Sequence, residues 1–383
     1  MVSDKITRLP FEGNDVYMID RNNIMIIYGD NPSTMIPELF EKGHILEYIG
    51  GDKDILIGIK PNLVVEKPSH LGATTDPRIV IAIIEYLKAY GYHNIIILES
   101  SWVGADTKKA YKVCGYEDIA NKYDISLIDL KDDIYAGYGN NPTINICNKA
   151  MEVDFLINIP VLKAHCQTKL TCALKNLKGC VPDVEKRRFH TMGLHEPIAW
   201  LNKYLKSDLV IVDGIWGDLT FEEGGTPVFM NRIIMGRDPV LIDSYAARLI
   251  GYSKDDIRYI CIAEEIGVGS TDLSRADIIE LNHGEVGIDI GQRNAKLEYL
   301  SKYINAKDAC SACYGSLIHA LERIREKGFL DNIDKNVYIG QGYKGKDIEG
   351  IGIGSCTRGA NIYLKGCPPS AKDIVDFLMK YNI

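Results

Sequence analysis

The sequence lacks any apolar run near the roughly 18 residues that a bilayer-spanning helix requires, so no membrane protein is expected. Its opening, MVSDKITRLPFEGNDV, has no apolar core, so no secretory signal is expected and a cytoplasmic location follows. A basic excess is also missing. The chain carries 44 Lys and Arg against 52 Asp and Glu, a net charge of −8, which excludes a general nucleic-acid binder. There is no G-x-x-x-x-G-K-[ST] phosphate loop, no G-x-G-x-x-G after the first strand-like run, no G-x-S-x-G and no H-E-x-x-H. No internal repeat or low-complexity tract is evident. What is present is ordinary for a globular protein, with 46% hydrophobic and 25% charged residues. At roughly 150 residues per domain, 383 residues suggest two or three domains.

Strand-like and helix-like segments alternate over the first 300 residues. Ile55 to Ile59 is a short apolar run of the buried parallel type, ending in Lys60-Pro61-Asn62. Asp76 and Pro77 can open a helix as N-cap and first residue, with an apolar stripe at 79, 80, 83, 84 and 87 and Gly91 closing it. Ile95 to Leu98 is the next strand, leading to Glu99 and Ser100, which makes a β-α-β unit. Further strands are expected at 154–159, 209–212 and 232–235, and helices at 239–250 and 255–266. The fold class is therefore α/β, with a mainly parallel sheet and helices on both faces. Near residue 300 the texture changes to dense glycine and cysteine, ending in an amphipathic helix over 371–380. We expect an α/β domain over 1–300 and a small C-terminal module over 301–383.

Ten cysteines without an export signal should stay reduced, leaving packing, metal binding or redox chemistry as uses. Cys310, Cys313, Cys356 and Cys367 are spaced C-x2-C-x42-C-x10-C. Four thiolates from one module suit structural zinc or an iron–sulfur cluster. Pro after Cys367 and Gly before Cys367 and near Cys356 favour a 4Fe–4S cluster, since free backbone amides can approach its sulfides. A second C-x2-C, usual in zinc ribbons, is missing. The plain alternative is that the four are helix-start and buried filler residues. Cys166, Cys172 and Cys180 fit no metal template and read as buried thiols; Cys114, Cys147 and Cys261 read as core. His319 reads as a surface or core residue rather than a ligand.

Residues 160–195 hold seven Lys or Arg against two acids, together with His165, His190 and His195. Ligands in open α/β sheets bind beyond the carboxyl ends of strands, where Lys60, Asn62, Glu99, Ser100, Lys163, His165 and Asp213 all fall. This pattern suits a carboxylate or phosphate. Lys60, Asn62, Lys175, Asn176 and Asp213 are candidate substrate-binding residues, and Lys163, His165 and His190 candidate catalytic ones, with a histidine moving protons. For Lys175, Lys178, Lys186, Arg187 and Arg188 a solvated basic helix face is the competing reading.

These stretches resemble the DUF362 proteins, a family without a settled activity. The resemblance rests on Lys60-Pro61-Asn62, on Ile157 to His165 (INIPVLKAH), on Ala173 to Gly179 (ALKNLKG), on His190, on Ile211-Val212-Asp213-Gly214, on Glu223-Gly224-Gly225-Thr226-Pro227, and on Asp238-Pro239 with Asp243. It covers about residues 50–270. It implies an iron–sulfur protein, although many members carry a ferredoxin insert with a C-x2-C-x2-C-x3-C-P run that is missing here; the four-Cys tail takes that place. The N-terminal half is more faintly similar to lactate-racemase-like proteins, which implies a cleft for a small hydroxy-carboxylate. The function expected is an iron–sulfur oxidoreductase acting on a small anionic substrate, served by a ferredoxin-like electron partner. The alternatives are a non-catalytic electron-transfer or assembly protein, a lyase or sulfur-transfer enzyme with an open iron, and a metal-free binding protein.

Overall fold

The computed structural model describes residues 8–9, 19–219, 227–284, 299–333 and 336–381. The Gly-rich stretch at 222–226 lies outside the described residues. A nine-stranded sheet runs in the order Arg8–Leu9, Asp277–Glu280, Asn23–Tyr28, Pro227–Gly236, Leu209–Asp218, Phe155–Ile159, Ile57–Pro61, Ile95–Glu99 and Ser126–Asp129. All neighbours are parallel except Pro227–Gly236, which is antiparallel to both of its partners.

Period-two alternation divides the strands between two cores. Ile57, Ile59, Ile157, Leu209 and Ile211 face one side, where the helix Pro77–Ala89 contributes Ile79, Val80, Ile83, Ile84 and Leu87. Leu156, Val210 and Val212 face the other, against the helices His195–Tyr204 and Pro239–Leu249. Helices thus cover both faces, which is why the central strands are buried along their whole length. The helix signals hold: Asp76 accepts from the Arg78 amide (2.9 Å), Pro77 is the first helical residue, and Gly91 follows the cap at φ 88°. Not anticipated were the strand Asn23–Tyr28 and the helix Pro32–Lys42. Asn158 sits inside the strand Phe155–Ile159; it donates to Ala173 O (2.9 Å) and accepts from Asn176 (2.8 Å), which fixes the helical turn Ala173–Asn176 at the strand end.

A second sheet is fully parallel and runs in chain order: Ile304–Ala306, Val337–Ile339, Ile348–Ile353 and Ala360–Leu364. Its core draws on residues from Leu300 onward, with Leu317, Leu321 and Ile324 of the helix Ser311–Glu326 and Ile374 and Leu378 of Ala371–Tyr381. Two of its connections, 340–347 and 354–359, are shorter than the dozen or so residues of a helical crossover. Each is a single 3-10 turn, Gln341–Tyr343 and Ser355–Thr357, so the chain coils like a short solenoid. An internal repeat is therefore present after all. Ile339-Gly340-Gln341-Gly342-Tyr343-Lys344-Gly345 and Ile353-Gly354-Ser355-Cys356-Thr357-Arg358-Gly359 share Ile, Gly, a basic residue and Gly in register. So few shared positions hide it in the sequence.

Gly340 (φ 123°, ψ 166°) and Gly354 (φ 89°, ψ 160°) turn the chain out of consecutive strands in a region essentially restricted to glycine. A Cβ on Gly340 would lie 2.0 Å from Lys307 O, whereas one on Gly354 would meet nothing nearer than 3.5 Å. Gly354→Ala is expected to cost about 1–3 kcal/mol, the backbone strain alone, and Gly340→Ala more. Urea denaturation of the two variants checks this order; equal or negligible losses would contradict it.

Candidate functional site

A recess opens at the carboxyl ends of the main-sheet strands. Asn62 enters it just beyond the strand Ile57–Pro61, and Glu99 and Ser100 from the end of Ile95–Glu99. Lys175, Asn176, Lys178 and Gly179 come from the turn of helix laid on Asn158, and Lys186 and His190 from the helix Asp183–Thr191. Cys310, Ser311 and Ala312 form the far wall.

The floor is a buried ion pair. Lys60 donates to Glu99 Oε2 (2.8 Å) and to Pro61 O (2.7 Å), and Glu99 also accepts from the amides of Leu63 (2.9 Å) and Ser100 (2.7 Å). Glycine at 179 permits this packing, since a Cβ there would fall 2.0 Å from Glu99 Oε1. With the charge of Glu99 matched by Lys60 and that of Lys186 shared with Asp183, the lining cations Lys175 and Lys178 leave the recess positive.

Lys186 departs from the sequence reading. A solvated helix face was the competing expectation for it, yet it is 4% exposed. Its ammonium donates to Ser100 O (3.0 Å), Ser101 O (2.7 Å) and Asp183 Oδ1 (3.2 Å), and also to Ser100 Oγ. Burial lowers its pKa from the usual lysine range to about 8, against the opposing pull of Asp183. The available signal was the four-residue spacing of Lys186 and His190, which places both on the helix face that also buries Glu185 and Phe189.

The predicted residues divide into lining and support. Asn62, Lys175, Asn176 and His190 line the recess. Lys60 stands behind Glu99. Lys163 stands behind Asn62, donating to its Oδ1 (3.0 Å) and to Ala73 O (2.6 Å), while Asn62 donates to Asn176 Oδ1 (2.7 Å). His165 Nδ1 accepts from the amides of Gln167 (2.9 Å) and Thr168 (3.1 Å), so the proton of the neutral ring is on Nε2. Asp213 is buried and accepts from the amides of Asp76 (2.8 Å) and Ile215 (3.1 Å); burial and then Asp76 raise its carboxyl to about 7. It is not a lining residue. Sequence reasoning missed Gln167, which donates to Ala309 O (2.8 Å) and accepts from Ser311 Oγ (2.8 Å), tying the His165 loop to the far wall.

Beyond that wall, Cys310, Cys313, Cys356 and Cys367 line a single cavity, and none is in a disulfide. It lies at the carboxyl ends of the small sheet, with Gly340, Gly354 and Gly366 in its lining. Cys310 is the N-cap of the sixteen-residue helix Ser311–Glu326 and Cys313 is in its first turn, where the helix dipole favours thiolates. Burial pushes the thiols of Cys310, Cys313 and Cys356 up, and each is raised further by others of the four. Among the described residues, no three His, Cys, Asp or Glu side chains are gathered as around a single metal ion. A cuboidal cluster makes a different demand, one iron per thiolate, with the sulfurs arranged around a volume. Gln341 donates to Cys310 Sγ (3.6 Å) and to Arg187 O (2.9 Å), and His190 Nε2 accepts a long bond from the Ser311 amide (3.5 Å). Cys310, Val103 and Ala312 line both cavities.

The remaining cysteines are less uniformly buried than expected. Cys114, Cys147, Cys172 and Cys180 are buried, whereas Cys166 and Cys261 are half-buried. Burial lowers His319 to about 4.

The family profile of DUF362, a domain of unknown function, matches residues 57–248, half of the chain, and the chain belongs to that family. A thylakoid-associated protein of Synechocystis sp. is 26% identical over 196 residues, covering 48% of this chain and 59% of that protein. The chain thus spans under two thirds of the length of the curated relative it matches. A solved structure of the lactate racemase apoprotein from Thermoanaerobacterium thermosaccharolyticum is similar at a TM-score of 0.39 and 11% identity, over 64% of this chain and 57% of that one. No helix among the described residues is long and apolar enough to cross a membrane.

Sulfate, a dianion throughout the range, tests the charge of the recess. Lys186 is a cation below about 8 and neutral above it, so the part of the sulfate affinity that it supplies should be fully present at pH 7 and below. It should then fall by up to about tenfold per pH unit above 8. Titration calorimetry checks this; Lys186→Met should bind weakly and without that decline, and level wild-type binding up to pH 9 would contradict the assignment.

Proposed function

We propose that this chain is a 4Fe–4S oxidoreductase that acts on a small anionic substrate, a carboxylate or a phosphate. The anion-binding part is an α/β domain over 1–300, and a C-terminal module over 301–383 holds the cluster through Cys310, Cys313, Cys356 and Cys367. The observation that carries this reading is the shared wall: Cys310 lines both the cationic recess and the four-thiol cavity. A cofactor acts on a substrate only when its reactive atoms lie against it, and these two cavities are neighbours.

Lys175, Lys178 and Lys186 supply charge for the substrate anion, while Asn62 and Asn176, locked to each other, orient it. His190 is the proton-transfer group, because it alone of the predicted histidines faces the recess. Lys163 and His165 act through others, Lys163 by holding Asn62 and His165 by shaping the loop that carries Gln167. Lys60 and Asp213 hold the strand ends. When bound, the cluster supplies one-electron transfer.

Two observations weigh between the alternatives. A pure electron carrier needs no recess lined by three lysines. An open-iron lyase needs a substrate-facing iron without a thiolate, and the corner that faces the recess is where Cys310 stands.

Anaerobically purified protein is expected to contain iron and sulfide in equal amounts, about four of each per chain, with an electron spin resonance signal on reduction. Replacing any of the four cysteines by alanine should abolish the signal. His190→Gln should retain it while losing proton-coupled turnover. Protein without iron or sulfide after anaerobic reconstitution would overturn the proposal.

A further inference from the structure

The charge of the chain is unevenly distributed. Residues 301–383 hold 12 Lys and Arg against 9 Asp and Glu, a net +3, while the preceding 300 residues hold 32 against 43, a net −11. Three cations of the C-terminal part, Lys344, Arg358 and Lys365, lie within three residues of residues that line the thiol cavity. Lys344 and Arg358 occupy equivalent positions on the two successive coil turns, and both are exposed. Exposed Lys365 is two residues from Cys367, itself exposed. The turns are stitched together: the Ser355 amide donates to Gly366 O (2.8 Å), and a Cβ on Gly359 would lie 2.1 Å from Lys346 O.

Two further cations share this face against their mutual repulsion. Lys307 lies against Lys346 and lowers its proton affinity, and Lys346 is held there by donating to Gly342 O (2.7 Å); both are exposed. Arg187 and Lys344 both act on Cys356 as nearby positive charges. Lys344 donates to Gln341 Oε1 (3.3 Å), and Gln341 donates in turn to Cys310 Sγ (3.6 Å), so one side chain separates the surface from a thiol. The acids on the same segments, Asp308, Asp347 and Glu349, are fewer than the cations, and exposed Asp106 lies two residues from Gly104, which packs on Pro368. A clustered excess of one sign, in a protein of the opposite overall sign, steers a partner of complementary charge.

We propose that the surface carrying Lys307, Lys344, Lys346, Arg358 and Lys365 around Cys356 and Cys367 is the docking face for an acidic one-electron carrier protein. The inference rests on the cluster reading above and adds a direction to it: electrons arrive at the Cys356 and Cys367 side, and substrate meets the Cys310 side. In each transfer the reduced carrier loses one electron and the oxidised cluster gains one; no bond forms or breaks and no proton moves.

The test uses the reconstituted full chain, a strongly acidic plant-type ferredoxin reduced beforehand, and anaerobic stopped-flow absorption. Lys307→Glu/Lys346→Glu and, separately, Arg358→Glu should lower the second-order reduction rate at low salt by about 10- to 100-fold and flatten its salt dependence. Reduction by dithionite and the spin resonance signal should be unchanged, and Arg275→Glu, a charge reversal elsewhere, should have no effect. Unchanged ferredoxin rates in the first two variants would overturn the docking face. If the wild type holds no cluster, the redox reading fails on that measurement. The face is then judged by calorimetry of oxidised ferredoxin with the metal-free chain at low salt. Binding that the charge reversals abolish supports the face, and no binding refutes it.

Discussion

The segment from Ala309 to Ala312 is the joint on which the site depends. It leaves the first strand of the small sheet and starts a long helix, and it is gripped from the main-sheet side by Gln167 through both Ala309 O and Ser311 Oγ. Parallel strands present their carboxyl ends on one side, and this segment lines the cavities at the strand ends of both sheets. The start of the helix Ser311–Glu326 then serves both neighbours. Its positive dipole end lies beside the thiols and borders the cationic recess.

Buried charge gives the recess its rigidity. Removing one member of a buried pair such as Lys60–Glu99 leaves an uncompensated charge, at a typical cost of about 3–5 kcal/mol. Lys163 is wholly buried and is satisfied by an amide oxygen and a backbone carbonyl. These lysines therefore specify geometry and are not themselves offered to a ligand. The division matters chemically. Support residues hold Asn62 and Glu99 in single orientations. Of the lining cations, Lys186 is itself held on Ser100, Ser101 and Asp183 and contributes charge, while Lys175 and Lys178 line the recess beside it.

Strand ends, helix caps and the mainly parallel sheet were legible because they follow from local patterns. Ile55 to Ile59 is apolar on both faces, and Asp76-Pro77 with Gly91 brackets one amphipathic stripe. The strand Asn23–Tyr28 escaped because its apolar run lies within a polar, loop-like neighbourhood with no adjacent β-α-β partner. It pairs instead with Pro227–Gly236 and Asp277–Glu280, both remote in sequence. Lys186 was misread for a related reason. A lysine on a basic helix looks solvated until the carbonyls of Ser100 and Ser101, some 85 residues away in sequence, are brought against it.

By itself the sequence determined the alternation of strands and helices, the concentration of basic residues after one strand, and the spacing of the four C-terminal cysteines. Each is written in neighbouring residues, through side-chain period, cap chemistry and turn preference. Only the tertiary structure decided which of those residues face a cavity and which stand behind it, and that Cys310 borders both cavities. Those outcomes depend on contacts between segments remote in sequence, from 39 residues apart for Lys60 and Glu99 to 154 for Arg187 and Gln341, whose register is set by packing in separate cores.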